Sequence, residues 1–191
     1  MQRKILAGVL FSLAALLLFF IFVFSAQEAD ASSALSARVA RALMDLMNPG
    51  YLKTASGGTV RVLMDFMDHP VRKAAHFMEY ALLGTLLTGG FLCLRFSMAA
   101  RFAFVLPLCF VCACADEYHQ TFVTGRAGTW ADVLLDFSGS VFGTLLLLTV
   151  CFAVMYLMGA SRLRRASRPG RKKRPPAYRS APSPSGRRVQ F

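Results

Sequence analysis

The sequence predicts an all-α integral membrane protein with four transmembrane helices, an extracytoplasmic helical loop between the first two, and a disordered basic cytoplasmic tail. Three observations predict this class. The chain has 191 residues, 55% of them hydrophobic, and a mean hydropathy of +0.49, which is unlike an ordinary soluble domain. Its apolar residues fall into long runs, and its basic residues are concentrated at the C-terminal end.

Four apolar runs correspond to the four predicted spans. A transmembrane helix needs about 20 apolar residues to cross the hydrocarbon core of a bilayer. The first and fourth runs reach this length alone, whereas the second and third reach it only if their polar ends lie in the interface. The runs are 5–24, 81–94, 102–115 and 137–158. The chain then divides into a first helix, an outer loop, a three-helix core and a tail, with bounds of 1–24, 25–71, 72–158 and 159–191.

The first run has a competing interpretation as a secretory signal peptide. Arg3 and Lys4 form a basic start, and the small residues Ser25 and Ala26 follow the apolar stretch. Signal peptides have about 7 to 15 apolar residues, and Phe24 fits poorly three places before a cut after Ala26. We therefore expect a retained transmembrane helix.

The outer loop contains two amphipathic patterns. A first helix is expected from Ser32 to Met47, stopped by Asn48-Pro49-Gly50, and a second, short helix is expected to end at Pro70. The expected apolar side of the first helix consists of Leu35, Val39, Ala42, Leu43 and Leu46. The pattern fits both a helix on the membrane surface and a solvated cap over the bundle.

The tail determines the predicted orientation. Eleven of the 22 Lys and Arg lie in 159–191, where no acid occurs, and proline and serine repeats follow, so we expect disorder. Lys and Arg near helix ends favour the cytoplasmic side. An even number of spans returns the N-terminus to that side, and the loop with Arg95 and Arg101 also falls inside. The basic run favours contact with anionic lipid over nucleic acid, and we expect no nucleic-acid partner.

Two charged clusters flank the apolar runs and are predicted to face outward together. Lys73, His76, Glu79 and Tyr80 form one helical stripe at the start of the second span. Asp116, His119 and Gln120 form a stripe at the end of the third span, and Asp132, Asp136, Gly139 and Gly143 form one on the fourth. The two glycines allow close approach of a neighbouring helix. Because ionisable groups near a bilayer are costly, such clusters indicate a functional site.

These blocks resemble the VanZ-like family. The matching pattern is K-x-x-H-x-x-E-Y at Lys73–Tyr80, D-E-x-x-Q at Asp116–Gln120, Gly125-Arg126, and D-x-x-x-D at Asp132–Asp136 ahead of Gly139. The resemblance covers roughly residues 70 to 145. It implies a small multi-pass bacterial membrane protein, in a family named for a member that raises teicoplanin resistance. Together with the orientation predicted from Lys and Arg, we expect a protein of the bacterial inner membrane with both termini cytoplasmic.

We interpret the outward cluster as a pocket that binds or modifies a cell-envelope lipid, such as a lipid-linked peptidoglycan precursor. Lys73 and Arg126 are expected to hold phosphate oxygens, because Arg suits bidentate phosphate contact. The other expected binding residues are Tyr80, Gln120, Asp132 and Asp136. If the pocket is catalytic, the candidate acid and base groups are His76, Glu79, Asp116, Glu117 and His119.

Three other interpretations stay open. The cluster could be a structural ion-pair network centred on Lys73 or Arg126 with Glu79 or Asp136. A divalent metal could be held by His76, Glu79, Asp116 and His119, but this spacing is less specific than H-E-x-x-H, so no metal site is assigned. A proton-coupled transporter is disfavoured, because the inner halves of the helices carry only Ser and Thr as polar groups. The sequence identifies no cofactor and no oligomeric state.

Overall fold

A computed structural model of the chain describes residues 1–94 and 96–166. This part of the chain consists of six helices and contains no strand. The helices are α1 (Gln2–Ser25), α2 (Ala29–Met47), α3 (Tyr51–Thr54), α4 (Gly57–Cys93), α5 (Met98–Gln120) and α6 (Trp130–Ala166). Its first compact unit is Met1–Phe152, and every contact discussed below lies within this unit.

Among the described residues, three helices are long and apolar enough to cross a membrane. They are α1, α5 and the Trp130–Ser161 portion of α6. The predicted second span lies in the C-terminal half of α4, which does not reach this standard because charged residues precede its apolar part and glycines and threonines interrupt it. The all-helical membrane class is confirmed, with three clear candidate spans.

The core of the first unit forms where α1, α4, α5 and α6 meet. Its buried residues come from all four helices: Ala14, Ile21, Tyr80, Leu83, Leu87, Val105, Cys109, Ala113 and Val133. Large apolar side chains elsewhere on the same helices stay exposed, such as Phe19, Val111 and Phe152. This distribution is typical of helices whose outer faces contact lipid, since lipid provides no driving force to bury them.

Glycines bring the backbones of α4 and α6 together. A Cβ added at Gly139 would overlap the carbonyl oxygen of Phe77, and one at Gly143 would overlap that of Ala81. From the α4 side, a Cβ at Gly84 would overlap the carbonyl oxygen of Ser140. The predicted close packing at Gly139 and Gly143 is therefore confirmed.

The outer segment differs from the prediction at Pro70. The proline does not end a helix, because α4 continues through it from Gly57 to Cys93. Proline removes one backbone N–H donor from the helix, which costs free energy. Packing of α4 against α1, α2 and α5 offsets this cost. The stop predicted at Asn48-Pro49-Gly50 is confirmed, because α2 ends at Met47 and Gly50 adopts a positive φ of 86°.

The apolar side of α2 does not pack on the other helices. Leu35, Val39, Leu43 and Leu46 are exposed, whereas the small residues Ser32, Ser36 and Ala40 are buried, and the helix contacts α4. Small side chains permit the closer approach, so the larger ones are left to face outward. The exposed stripe becomes one wall of a groove described below.

The prediction that the tail is disordered from residue 159 is wrong for its first residues, because α6 extends to Ala166. The remaining tail, 167–191, and Arg95 in the predicted inner loop lie outside the described residues.

Candidate functional site

The charged residues converge where the C-terminal ends of α1 and α5 meet the start of α6 and the middle of α4. A cavity of about 170 Å³ opens there. Charged and polar side chains from α4, α5, the loop after α5, and α6 line it: His69, Arg72, Lys73, His76, Glu117, Gln120, Arg126, Asp132 and Asp136. We call this space the charged cavity. It brings together seven of the eleven residues that the sequence pattern selected.

The four remaining selected residues lie elsewhere. Tyr80 is fully buried in the core, where its hydroxyl donates to the carbonyl oxygen of Cys112 at 3.3 Å. Glu79 faces a separate groove. Asp116 is fully buried beneath the charged cavity, and the His119 ring packs near Phe22 with centroids 5.9 Å apart. Neither Tyr80 nor His119 lines the cavity, so a direct ligand contact from either requires a movement that this structure does not contain.

Two ion pairs join the basic residues of α4 to nearby acids. Lys73 Nζ lies 2.6 Å from Asp132 Oδ1, and Arg72 Nη2 lies 2.6 Å from Asp68 Oδ2. Ser33 on α2 donates to the same Asp68 oxygen at 2.9 Å, which ties α2 to α4. These pairs differ from the expected network, because neither Lys73 nor Arg126 lies within ion-pair distance of Glu79 or Asp136 in the described part of the chain.

Glu117 organises the loop between α5 and α6. Its two carboxylate oxygens accept from Gln120 Nε2 at 2.9 Å and from the backbone N–H of Thr129 at 3.1 Å. The Thr129 hydroxyl in turn accepts from the backbone N–H of Asp132 at 3.2 Å, which caps the start of α6. Glu117 is 5% exposed, so its role here is to hold the loop in place through hydrogen bonds.

The Gly125-Arg126 pair directs a guanidinium over the cavity. Gly125 has a positive φ of 77°, a conformation that suits glycine, and the chain turns there. Arg126 then donates to Gln120 Oε1 at 3.3 Å and to the carbonyl oxygen of Phe24 at 3.4 Å. Burial, together with the nearby charge of Arg72, lowers the pKa of Arg126 from its usual value, although an arginine remains protonated. In the described residues no carboxylate lies within 4.0 Å of it.

Three side chains meet at the floor of the charged cavity. His76 Nδ1 lies 3.9 Å from Asp116 Oδ2 and 3.8 Å from Asp136 Oδ2. Asp116 Oδ2 accepts from Ser25 Oγ at 2.9 Å and from Gln120 Nε2 at 3.2 Å. Ser25 is a residue that sequence reasoning did not select for the site. In the sequence, Ser25 differs from its neighbours only as a polar residue at the end of an apolar run. Such a residue also fits a signal-peptide cleavage site.

A second space adjoins the charged cavity. It is a groove of about 340 Å³ between α2 and α4, and it shares Arg72, His76 and Arg126 with the charged cavity. Its remaining lining is mainly apolar and includes Leu35, Val39, Leu43, Val71, Ala74, Ala75 and Met78. We call it the apolar groove. Glu79 lies along it.

These features define a small helical membrane protein with a charged cavity at one end of its packed helices and an apolar groove beside it. Residues 10–156 match the VanZ/LLP1 family model. The chain belongs to the VanZ/LLP1 family, which confirms the resemblance seen in the sequence. Comparison with curated proteins and with solved structures gives no significant match to either.

Proposed function

We propose that the charged cavity binds the phosphate-containing head of a cell-envelope lipid or lipid-linked precursor, and that the apolar groove receives part of its apolar chain. The observation that carries this proposal is the wall of Arg72, His76 and Arg126 shared by the two spaces. An amphiphile needs a polar and an apolar space in contact. The groove volume of about 340 Å³ is within the usual range for ligand sites, about 300 to 1,000 Å³.

Arg126 is the main candidate for the phosphate contact. It is partly buried and makes its two hydrogen bonds only to neutral oxygens, those of Gln120 and Phe24. A partly buried cation with no carboxylate in ion-pair contact is less favourable than a paired one, and an anionic oxygen would supply that contact. Arg72 and Lys73 supply further positive charge at the rim, although each is already paired with an acid.

The membrane arrangement that fits this proposal adds the C-terminal half of α4 to the three candidate spans, which gives four spans in all. That half packs against α1, α5 and α6 through buried residues such as Leu83 and Leu87, so it runs among the candidate spans. If the basic tail lies in the cytoplasm, as the distribution of Lys and Arg predicts, the charged cavity faces the extracytoplasmic side. Lipid-linked wall precursors are exposed on that side of a bacterial inner membrane.

Native mass spectrometry of the purified protein in detergent tests the proposal directly. The probes are undecaprenyl phosphate and undecaprenol, which share a tail and differ in the head. We expect the wild type to prefer the phosphate, and Arg126→Gln to lose that preference by roughly 10- to 100-fold, since a hydrogen bond to a charged group contributes about 1.5 to 3 kcal/mol.

Arg61→Gln is the matched control, because Arg61 is exposed on α4 outside both spaces. It removes the same charge and is expected to keep the preference. Equal affinity of the wild type for both probes, or an equal loss in both variants, would contradict the proposal.

Teicoplanin resistance is the phenotype that the family name suggests, and it follows from the same site if the bound lipid is a wall precursor. The measurement is the susceptibility of a Gram-positive host carrying the wild type, Arg126→Gln or Arg61→Gln at equal membrane abundance. Protection by the wild type and Arg61→Gln, but not by Arg126→Gln, would connect the charged cavity to resistance. No protection by any of them would restrict this member to another envelope role.

A further inference from the structure

Three helices each contribute one metal-ligating side chain to a single point. His76 comes from α4, Asp116 from α5 and Asp136 from α6. One ligand atom from each, the imidazole nitrogen and two carboxylate oxygens, lies within 4.8 Å of the other two. The residues are 40 and 20 positions apart in sequence, so this convergence is a product of the fold and not of local spacing.

Four polar atoms of this cluster lack a hydrogen-bond partner among the described residues. Asp136 is 1% exposed, and neither of its carboxylate oxygens accepts a hydrogen bond from the described residues. Asp116 Oδ1 and His76 Nδ1 are likewise buried without a hydrogen bond. Within the described ranges, no Lys or Arg lies within 4.0 Å of the Asp136 carboxylate. Lys73 forms its ion pair with Asp132 instead.

Without a bound ion, such a cluster is energetically unfavourable. Buried polar groups in folded proteins are nearly always paired, and a buried charge without a partner costs several kcal/mol. Two carboxylates pointing at one imidazole nitrogen also repel each other. A positive charge at their centre would offset this repulsion and give each of the three side chains a partner.

We infer that His76, Asp116 and Asp136 form a binding site for one divalent transition-metal cation, such as Zn²⁺ or Mn²⁺. Imidazole suits transition metals, carboxylates suit harder ions, and a mixed set of both is typical of zinc and manganese. His76 Nδ1 lies 3.8 Å from Asp136 Oδ2 and 3.9 Å from Asp116 Oδ2, and the ligand atoms of the two carboxylates lie within 4.8 Å of each other. With metal–ligand distances of about 2.0 to 2.2 Å, the histidine would need to approach each carboxylate by roughly 0.5 Å, and the two carboxylates would also need to approach each other.

The position of the cluster gives the ion access to the cavity. His76 and Asp136 line the charged cavity, whereas Asp116 lies beneath it. Three protein ligands with an open position is the pattern of metal sites that bind a further oxygen. Ser25 and Gln120 donate to Asp116 Oδ2 and orient that carboxylate, as outer partners of metal ligands do. The metal site is inferred from these three side chains alone and does not depend on the proposed lipid.

This set differs from the one considered from sequence. His76 and Asp116 were included there, but Glu79 faces the apolar groove and His119 packs near Phe22. Asp136, which the sequence indicated as a binding residue, takes their place. A proton shared between Asp116 and Asp136 is the competing explanation for the cluster, and it predicts no saturable metal binding.

The test uses the full-length protein, purified in detergent and stripped of metal, with Mn²⁺ as the probe. Mn²⁺ is chosen because the cysteines of α5, among them Cys109 and Cys112, would compete for Zn²⁺ but bind manganese poorly. Free Mn²⁺ is counted by electron paramagnetic resonance in titrations of the wild type, Asp136→Asn and Asp65→Asn. Asp65→Asn is the matched control, since Asp65 is an exposed carboxylate on α4 that lines neither space.

We expect one saturable Mn²⁺ per chain in the wild type and in Asp65→Asn. Asp136→Asn is expected to weaken binding by more than about 100-fold, because loss of an outer-shell partner alone costs about 10- to 100-fold. Asn keeps the shape of Asp, and gel filtration confirms that each variant remains folded. His76→Gln tests the nitrogen ligand in the same way. Absence of saturable binding in the wild type, or equal weakening in Asp65→Asn and Asp136→Asn, would overturn the site.

Discussion

The contact between α4 and α6 predicts that Gly143→Ala destabilises the protein. A Cβ at Gly143 would overlap the backbone carbonyl of Ala81 and lie 2.8 Å from Thr85 Oγ1. A backbone carbonyl cannot rotate away as a flexible side chain can, so the two helices would have to separate. Overpacking of this kind costs about 1 to 3 kcal/mol. Alanine also favours the helix over glycine by about 1 kcal/mol, which partly offsets the overlap.

Gly8→Ala provides the control for the helix preference. Gly8 lies in α1, and a Cβ there would have nothing within 4 Å. Both variants gain the same preference for the helix, so the difference between their free energies of unfolding isolates the overlap. We expect Gly143→Ala to be less stable than Gly8→Ala by about 1 to 3 kcal/mol, measured by steric trapping in detergent micelles. Equal stability of the two variants would refute the close contact between α4 and α6.

Three further substitutions test the core, the loop and the proline. Tyr80→Phe is expected to lower the free energy of unfolding by about 0.5 to 1.5 kcal/mol, through loss of the hydrogen bond to Cys112, and an unchanged value would contradict that bond. Glu117→Ala is expected to accelerate hydrogen exchange at the Thr129 amide, and unaltered exchange there would count against Glu117 as the loop anchor. Pro70→Ala is expected to raise the unfolding free energy by up to about 3 kcal/mol, since it restores a helical N–H donor inside α4. A decrease would instead show that the proline shape is required.

The periodic placement of charged residues could be read from sequence, because helical spacing determines which residues share a face. Lys73 and His76 do reach one cavity with Asp132 and Asp136, as their stripes predicted. The pairing within the cavity could not be predicted. A rotation of α4 about its own axis decides whether Lys73 meets Asp132 or Asp136, and that rotation depends on packing against other helices.

The buried face of α2 was missed for a related reason. The spacing of apolar residues along a helix indicates which side avoids water, but it does not indicate whether protein, lipid or a ligand covers that side. Here, the small residues Ser32, Ser36 and Ala40 are buried, and Leu35 and Val39 line the apolar groove. Ser25 was missed because a single polar residue at the end of an apolar run carries no periodic signal.

The hydrogen bond between Ser25 and Asp116 has a consequence for biosynthesis. Its two residues are 91 positions apart, so the first helix leaves the ribosome long before its partner is made. The last contributor to the cluster, Asp136, arrives later still, near the start of α6. The site therefore cannot form from neighbouring segments alone. It is complete only once the end of α1, α4, α5 and the start of α6 have come together, so an intact cluster reports that helices made early and late in synthesis have packed against one another.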